Sequence, residues 1–235
     1  PRQVELSPHG TSLSRMSTTL VIGANRGIGL ELSRALHTRG EHVIATCRTT
    51  SPLLEALSVQ VQPGMDVTSD DSARELAQSL GTTKLDTVII NAGILEHTSL
   101  DRMDLASVQR QIEVNAVSPL RLALALRNHM NNPSKLALIT SRMGSIADNT
   151  SGGSYGYRMS KAALNAAGRS LAHDLKSKGI AVALLHPGYV RTEMTGGGGN
   201  VGPDEAARML IARIDELTLE SSGTFWHADG QVLPW

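Results

Sequence analysis

Thr18-Thr19-Leu20-Val21-Ile22-Gly23-Ala24-Asn25-Arg26-Gly27-Ile28-Gly29 is the stretch on which the reading of this chain turns. The first five residues are β-branched or apolar and read as a buried strand. Gly23 to Gly29 form a glycine-rich turn, Ile28 to Leu36 begin a helical pattern, and Gly40 ends it. Strand, glycine turn and helix in that order make an anion cradle. A dinucleotide pyrophosphate must approach backbone amides at the positive end of a helix, and a Cβ at the contact points would block it. Gly23, Asn25, Arg26, Gly27, Ile28 and Gly29 are therefore candidate cofactor contacts. The spacing is G-x-x-x-G-x-G, not G-x-G-x-x-G, so a plain tight turn is the alternative. The position between strand and helix favours the dinucleotide site.

The pattern continues outward. Residues 42–47 and 59–62 read as strands, with a small helix near 53–57 between them. Thr68 or Ser69 caps a helix over 70–80, and Leu85 to Ile90 form a strongly apolar strand. Residues 105–130 suit one long helix, kinked or broken where Pro119 falls. A strand is expected over 136–140, an Ala-rich helix over 157–178 closed by Gly179, and a strand over 180–185. Residues 195–200, TGGGGN, are a loop; Pro203 opens a helix to about Ile214, and 224–227 make an edge strand. Strands alternating with helices imply crossover connections and a parallel sheet. The expected fold is α/β: a single doubly wound, Rossmann-type domain over residues 17–235, with six or seven largely parallel strands flanked by helices. Residues 1–16 read as a flexible arm or expression remnant.

Composition narrows the function. The chain has 235 residues, 22 basic and 22 acidic, so nothing suggests a nucleic-acid surface. Cys47 is the single cysteine, which excludes an intramolecular disulfide and a cysteine-ligated metal cluster within one chain. The eight histidines are scattered, and no metal is expected. No stretch has the length and apolarity of a membrane span, and residues 1–15 lack a secretory apolar region. The expectation is a cytoplasmic protein with no membrane partner.

The strand ends supply further contacts. After the second strand, where an acid would bind a ribose 2′-hydroxyl, the chain has Cys47-Arg48-Thr49. An arginine neutralises a 2′-phosphate and an acid repels it, so NADP(H) is preferred over NAD(H). Arg26 could reach the same phosphate; alternatively Arg48 is a solvated surface residue. Asp66, followed by Val67, either accepts from the adenine amino group or initiates the next helix. Asn91-Ala92-Gly93 either lets the chain pass close to a cofactor ribose or forms a simple turn.

Tyr157 and Lys161 are four apart and share one helix face. Tyrosine ordinarily titrates near 10, and a neighbouring ammonium would lower that value. Ser141 follows the fifth strand, at the carboxyl edge where parallel sheets bind ligands. It could hold a substrate oxygen beside Tyr157 or serve as a helix cap. Asn115 sits in an apolar helical run and needs a partner if buried: a water serving Lys161, or a local helix bond. Tyr155 is turned off the Lys161 face and suits a pocket wall better than acid–base work.

Together Gly23, Gly27, Gly29, Asn91-Ala92-Gly93, Asn115, Ser141, Tyr157 and Lys161 resemble the short-chain dehydrogenase/reductase family over residues 17–235. His186-Pro187-Gly188-Tyr189-Val190-Arg191-Thr192 is similar to that family's segment after the sixth strand. The resemblance implies that Pro187, Gly188, Val190 and Thr192 lie against a nicotinamide, with Thr192 near its carboxamide. It implies catalysis by Asn115, Ser141, Tyr157 and Lys161, the last two also contacting the cofactor. Residues 144–149, 157–161 and 229–235 resemble the carbonyl reductases and the C-factor group. The expected activity is hydride transfer between NADP(H) and an aldehyde, ketone or quinone with an apolar body; the alternative is an NADP-binding signalling or regulatory protein with little turnover. Ile94, Leu95, Met143, Tyr155, Tyr189 and Met194 are the candidate pocket. A homodimer or homotetramer is implied. Ser141 and Tyr157 are sixteen apart against a commoner family spacing of thirteen, so the loop over 147–156 must bulge for the hydroxyls to meet.

Overall fold

The computed structural model describes residues 16–235, so all but one residue of the expected arm, 1–15, lies outside the described part. Seven strands form one sheet: β1 (Thr18–Ile22), β2 (His42–Thr46), β3 (Gln60–Gln62), β4 (Leu85–Ile90), β5 (Met130–Ile139), β6 (Ile180–His186) and β7 (Phe225–His227). Their order is β3-β2-β1-β4-β5-β6-β7, and every pairing between them is parallel. The helices are α1 (Gly27–Thr38), α2 (Pro52–Glu55), α3 (Asp70–Leu80), α4 (Leu105–Ile112), α5 (Ser118–Leu126), α6 (Tyr155–Lys176) and α7 (Pro203–Asp215).

The sheet is covered on both faces, which explains why Leu20–Ile22, Val88–Ile90, Leu136–Ile139 and Ile180–Leu185 are continuous apolar runs rather than alternating ones. Leu20 and Ile22 of β1 pack with residues of α3, α5 and α6, whereas Val21 packs with α1 and α7. The strand order reverses between β2 and β4, on either side of β1. Such a switch point is where open parallel sheets bind ligands, past the carboxyl ends of the strands.

Three elements differ substantially from expectation, the others by a residue or two at most. The single helix over 105–130 is instead α4, a π-helical turn over Glu113–Val117, and α5. Pro119 brings no N–H, and Ser118 Oγ bonds back to the Glu113 carbonyl at 2.9 Å, so the ladder slips by one residue there. Next, β5 begins at Met130, where a helix was expected, because the polar Asn131-Asn132-Pro133 run hides a strand start that a register shift against β4 accommodates. Asn131 donates to Asp86 there at 2.6 Å. Finally, α6 begins at Tyr155, two residues early, and ends at Lys176. Gly152, Gly153 and Ser154 all have positive φ (64°, 65° and 47°), which turns the chain sharply into the helix. This is the bulge that the long Ser141–Tyr157 spacing requires. Ser69, not Thr68, caps α3, accepting from the Ser72 amide at 3.2 Å.

Candidate active site

The glycine turn is closely packed. Gly23 has φ 87°, and a Cβ there would lie 2.8 Å from the backbone of Ala92. A Cβ on Gly29 would lie 2.0 Å from the Gly23 carbonyl oxygen. Asn91 Nδ2 donates to that same carbonyl at 2.9 Å, and the Asn91 and Ala92 amides both donate to Ile22 O at 3.0 Å. Asn91-Ala92 thus ties the end of β4 to the turn after β1, and the small residues let two backbones meet. Arg26, at the N-cap of α1, makes no side-chain cap, so the first amides of the helix have no side chain upon them. A glycine-lined turn and an uncapped helix start suit an anionic dinucleotide. The residues present fit that group.

Around this turn, Asn25 O accepts from Ser51 Oγ at 2.6 Å, and Ile28 packs into the α1–α7 core. Arg26 pairs with Glu193, both side chains being mostly exposed. Arg48 is exposed and close enough to Asp66 to lower its pKa. Asp66 Oδ1 accepts from Thr68 N at 2.9 Å and Thr68 Oγ1 at 2.8 Å, which is its turn-forming role; these bonds, more than Arg48, hold its pKa down. Val67 packs against the core. Beyond β6, Val190 is buried and paired with Val201, while Gly188 has φ 92°. A Cβ on Gly27 would lie 3.4 Å from Thr192 Cγ2, so the segment after β6 reaches across to the glycine turn.

The reacting groups converge at the ends of β4, β5 and the start of α6. Tyr157 is buried, and the Ser141 side chain lies near enough to its phenol to oppose the rise in its pKa. The Lys161 ammonium lies 5.7 Å from the centre of the Tyr157 ring and donates to Ile139 O at 2.9 Å. The expected lowering of the tyrosine pKa by Lys161 does not occur in this state. Burial raises the phenol's pKa, Ser141 opposes that rise, and burial depresses Lys161 to about 8. The ammonium faces the ring and a carbonyl, so its charge does not settle on the phenol oxygen. Asn115 is fully buried in the π turn: its Oδ1 accepts from Ile94 N at 2.8 Å, and Nδ2 donates to Ile94 O at 2.8 Å and Ser160 Oγ at 3.0 Å. Its partners are Ile94, in the loop after β4, and Ser160 of α6, where a local helix bond was the alternative reading. A Cβ on Gly93 would fall 3.1 Å from Asn115 Oδ1 and 3.6 Å from Lys161 Nζ.

Ser141 also caps the short 3₁₀ turn over Arg142–Gly144, accepting from Met143 N at 3.2 Å. A Cβ on Gly144 would lie 2.7 Å from the Lys161 carbonyl carbon, so this turn packs directly on α6. The Trp235 carbonyl accepts from Ala147 N at 2.9 Å and braces the same loop. Ile94, Leu95 and Met143 are half-buried; Tyr155 at the start of α6, and Tyr189 and Met194 in the segment after β6, are exposed. A cleft of about 360 Å³ lies elsewhere, between β3 and α3; neither Ser141, Tyr157 nor Lys161 lines it, and chemistry rather than cavity size locates the site. Among the described residues, no three His, Cys, Asp or Glu side chains gather as a metal set, and no helix is long and apolar enough to cross a membrane. Sequence reasoning passed over Gln111, Thr98, Ser160 and Gly156, which frame these groups. The signal for Gln111 was a polar residue four before Asn115, on the same helix face as Val108.

The sheet order, with its glycine turn after β1, is that of a doubly wound α/β protein, and residues 17–199 match the short chain dehydrogenase family model: the chain belongs to that family of oxidoreductases. It is 46% identical over 226 residues to 1-hydroxy-2-glutathionyl-2-methyl-3-butene dehydrogenase of Rhodococcus sp. (strain AD45), covering 94% of this chain and all of that protein. It is 40% identical over 165 residues to C-signal of Myxococcus xanthus, covering 69% of this chain and 99% of that protein. Among solved structures it is similar to the carbonyl reductase Sniffer of D. melanogaster (TM-score 0.86, 28% identity, 94% of this chain, 100% of that one). NADPH-bound carbonyl reductase from chicken fatty liver superposes equally well (TM-score 0.86, 29% identity, 94% and 95% covered).

Proposed function

We propose that this protein reduces an aldehyde, ketone or quinone with an apolar body, using NADPH, or oxidises the corresponding alcohol. The observation that carries the reading is the buried Tyr157 phenol with the Lys161 ammonium 5.7 Å from its ring centre, at the carboxyl edge of the sheet where Ser141 follows β5. Gly23, Gly27, Gly29 and the start of α1 would hold the pyrophosphate, and Arg48 and Arg26 the 2′-phosphate. Asp66, Val67, Asn91, Ala92 and Gly93 would line the adenosine and ribose path. Pro187, Gly188, Val190 and Thr192 would face the nicotinamide end. The bound nicotinamide supplies or accepts the hydride. Ser141 holds the carbonyl oxygen with a hydrogen bond as negative charge grows there. Tyr157 donates its proton to that oxygen, and Lys161 stabilises the phenolate that remains. Asn115 acts through the Ile94 backbone and Ser160 to fix the floor beside Lys161.

The dehydrogenase relative supports hydride chemistry, and its glutathionyl alcohol shows that a relative of this size acts on a substrate with a large polar appendage. The exposed Tyr155, Tyr189 and Met194 suit an apolar substrate body reached from solvent. Apolar side chains left uncovered on α5 and α6, Leu120, Leu124 and Met159, support a homodimer or homotetramer through those helices. Light scattering would measure the assembly, and a monomer with these residues intact would count against it. The likeness to C-signal favours, as second reading, an NADP-binding protein of low turnover. A panel of aldehydes, ketones and quinones, followed by NADPH absorbance, separates the two: turnover supports the reductase, and tight NADPH binding with no turnover across the panel overturns it.

A further inference from the structure

The geometry points to Gln111 as a positioning residue that sets both the substrate wall over residues 94–98 and the start of the helix carrying Tyr157. Gln111 is fully buried on the α4 face that also holds Val108, and Asn115 follows one turn later. Its Oε1 accepts from Glu96 N at 3.1 Å; its Nε2 donates to Glu96 O at 3.0 Å and Ser107 Oγ at 3.2 Å. Asn115 holds Ile94 in the same way, one carboxamide taking both the N–H and the C=O of one residue. Two side-chain amides on one helix thus pair with residues 94 and 96 as a neighbouring strand would. Alternate residues of an extended chain present their backbone groups to one side. The segment is therefore drawn out straight along α4.

The same carboxamide touches the tyrosine helix. A Cβ on Gly156 would fall 2.6 Å from Gln111 Nε2 and 3.0 Å from Val108 Cα, so Gly156 lies against this side chain. Thr98, at the end of the held segment, accepts from Gly156 N through Oγ1 at 3.2 Å and from Ser154 N through its carbonyl at 2.7 Å. Gly156 immediately precedes Tyr157. An apolar residue could fill the space of Gln111 without the desolvation cost of a carboxamide. What an apolar residue cannot do is satisfy the Glu96 backbone, which would then leave the helix and take the wall and the α6 start with it.

This inference rests on Tyr157 as proton donor, and its test separates the two. Gln111→Leu and Gln111→Glu are prepared beside Tyr157→Phe, and NADPH affinity, turnover on the best carbonyl of the panel, and amide hydrogen exchange are measured. For Gln111→Leu the expected result is NADPH affinity within about twofold of wild type and kcat lower by about 10- to 100-fold, the scale of a misplaced reacting group. Exchange should accelerate in peptides covering 94–98 and 154–158, and not in β1 or β4. Gln111→Glu carries a conditional rescue. The protonated acid can accept from Glu96 N and donate to Glu96 O, whereas the carboxylate faces a carbonyl oxygen. Its activity should be retained at low pH and lost as pH rises through the introduced carboxyl's own titration, a limb that the wild type, level until the Lys161 decline above about pH 8, does not show. A Gln111→Leu protein with wild-type kcat/KM and wild-type local exchange overturns the proposal, as does a uniform loss of folding and NADPH binding in both variants without the low-pH rescue. If Tyr157→Phe keeps full turnover, the reading of Tyr157 fails, while the exchange pattern still decides for or against Gln111.

Discussion

Lys161 places its ammonium 5.7 Å from the ring centre of Tyr157 and anchors it on the Ile139 carbonyl, so the charge lies beside the phenol rather than on its oxygen. Burial dominates both groups: it raises the phenol's pKa and lowers the ammonium's to about 8. In this state Tyr157 keeps its proton, as the proposed donor in carbonyl reduction must.

Replacing Tyr157 by Phe removes that proton and little else, since the ring stays. Turnover should fall about 10²- to 10⁴-fold, the usual contribution of general acid–base catalysis. NADPH affinity, read by fluorescence titration, should change far less. Near-normal turnover would end the proposed role.

The pH dependence follows from the same pair. Lys161 is charged below about pH 8 and neutral above it. Reduction should therefore hold level below that pH and decline above it, as the phenolate left by proton transfer loses its cation. Stability carries the opposite slope. Between about 8 and the ordinary 10.5 the unfolded chain binds a proton that the folded chain does not, so this group adds stability as pH rises. Lys161→Met should remove that slope from thermal melts and be no less stable than wild type at neutral pH, while losing activity.

Cofactor choice should rest on Arg48. Removing its charge-assisted bonds to a 2′-phosphate is expected to weaken NADPH binding about 10- to 100-fold and leave NADH nearly unaffected. Arg26 is different, because Glu193 already engages it. Exposed ion pairs are weak. Glu193→Gln should free Arg26 and tighten NADPH by less than about fivefold, measured by titration calorimetry. Equal loss of both cofactors on Arg48→Ala would contradict the assignment.

Gly144 joins the Ser141 turn to α6, and an added methyl would meet the Lys161 backbone at 2.7 Å. Gly144→Ala should cost about 1–3 kcal/mol of stability, the range for overpacking. It should also lower kcat, because the turn carrying Ser141 must move away from Lys161. A variant with an unchanged melt and unchanged kcat would show that this contact is slack.

The central strands and most helices were legible because each rests on a local signal: the apolar runs of β1 and β4, Ser69 before α3, Pro203 opening α7. Where residues 131–133 and 152–154 interrupted those signals, the boundaries of β5 and α6 moved. Gly23, Gly29 and the Tyr157–Lys161 spacing were readable for the same local reason, since a turn or a helix face fixes their neighbours. The partners of Asn115 and Gln111 were not, because Ile94 and Glu96 are distant in sequence and only the packing of α4 on the loop brings them together.

By itself the order of residues determined an alternating parallel fold, a glycine turn open to phosphate, and a tyrosine one helical turn from a lysine. Only the folded chain decided how those groups are charged and held: burial raised the phenol and depressed the ammonium, and two buried amides drew the loop after β4 against α4. The division has one cause. Periodicity and turn chemistry act between neighbours along the chain, whereas desolvation and the pairing of buried polar groups depend on which distant segments exclude water together.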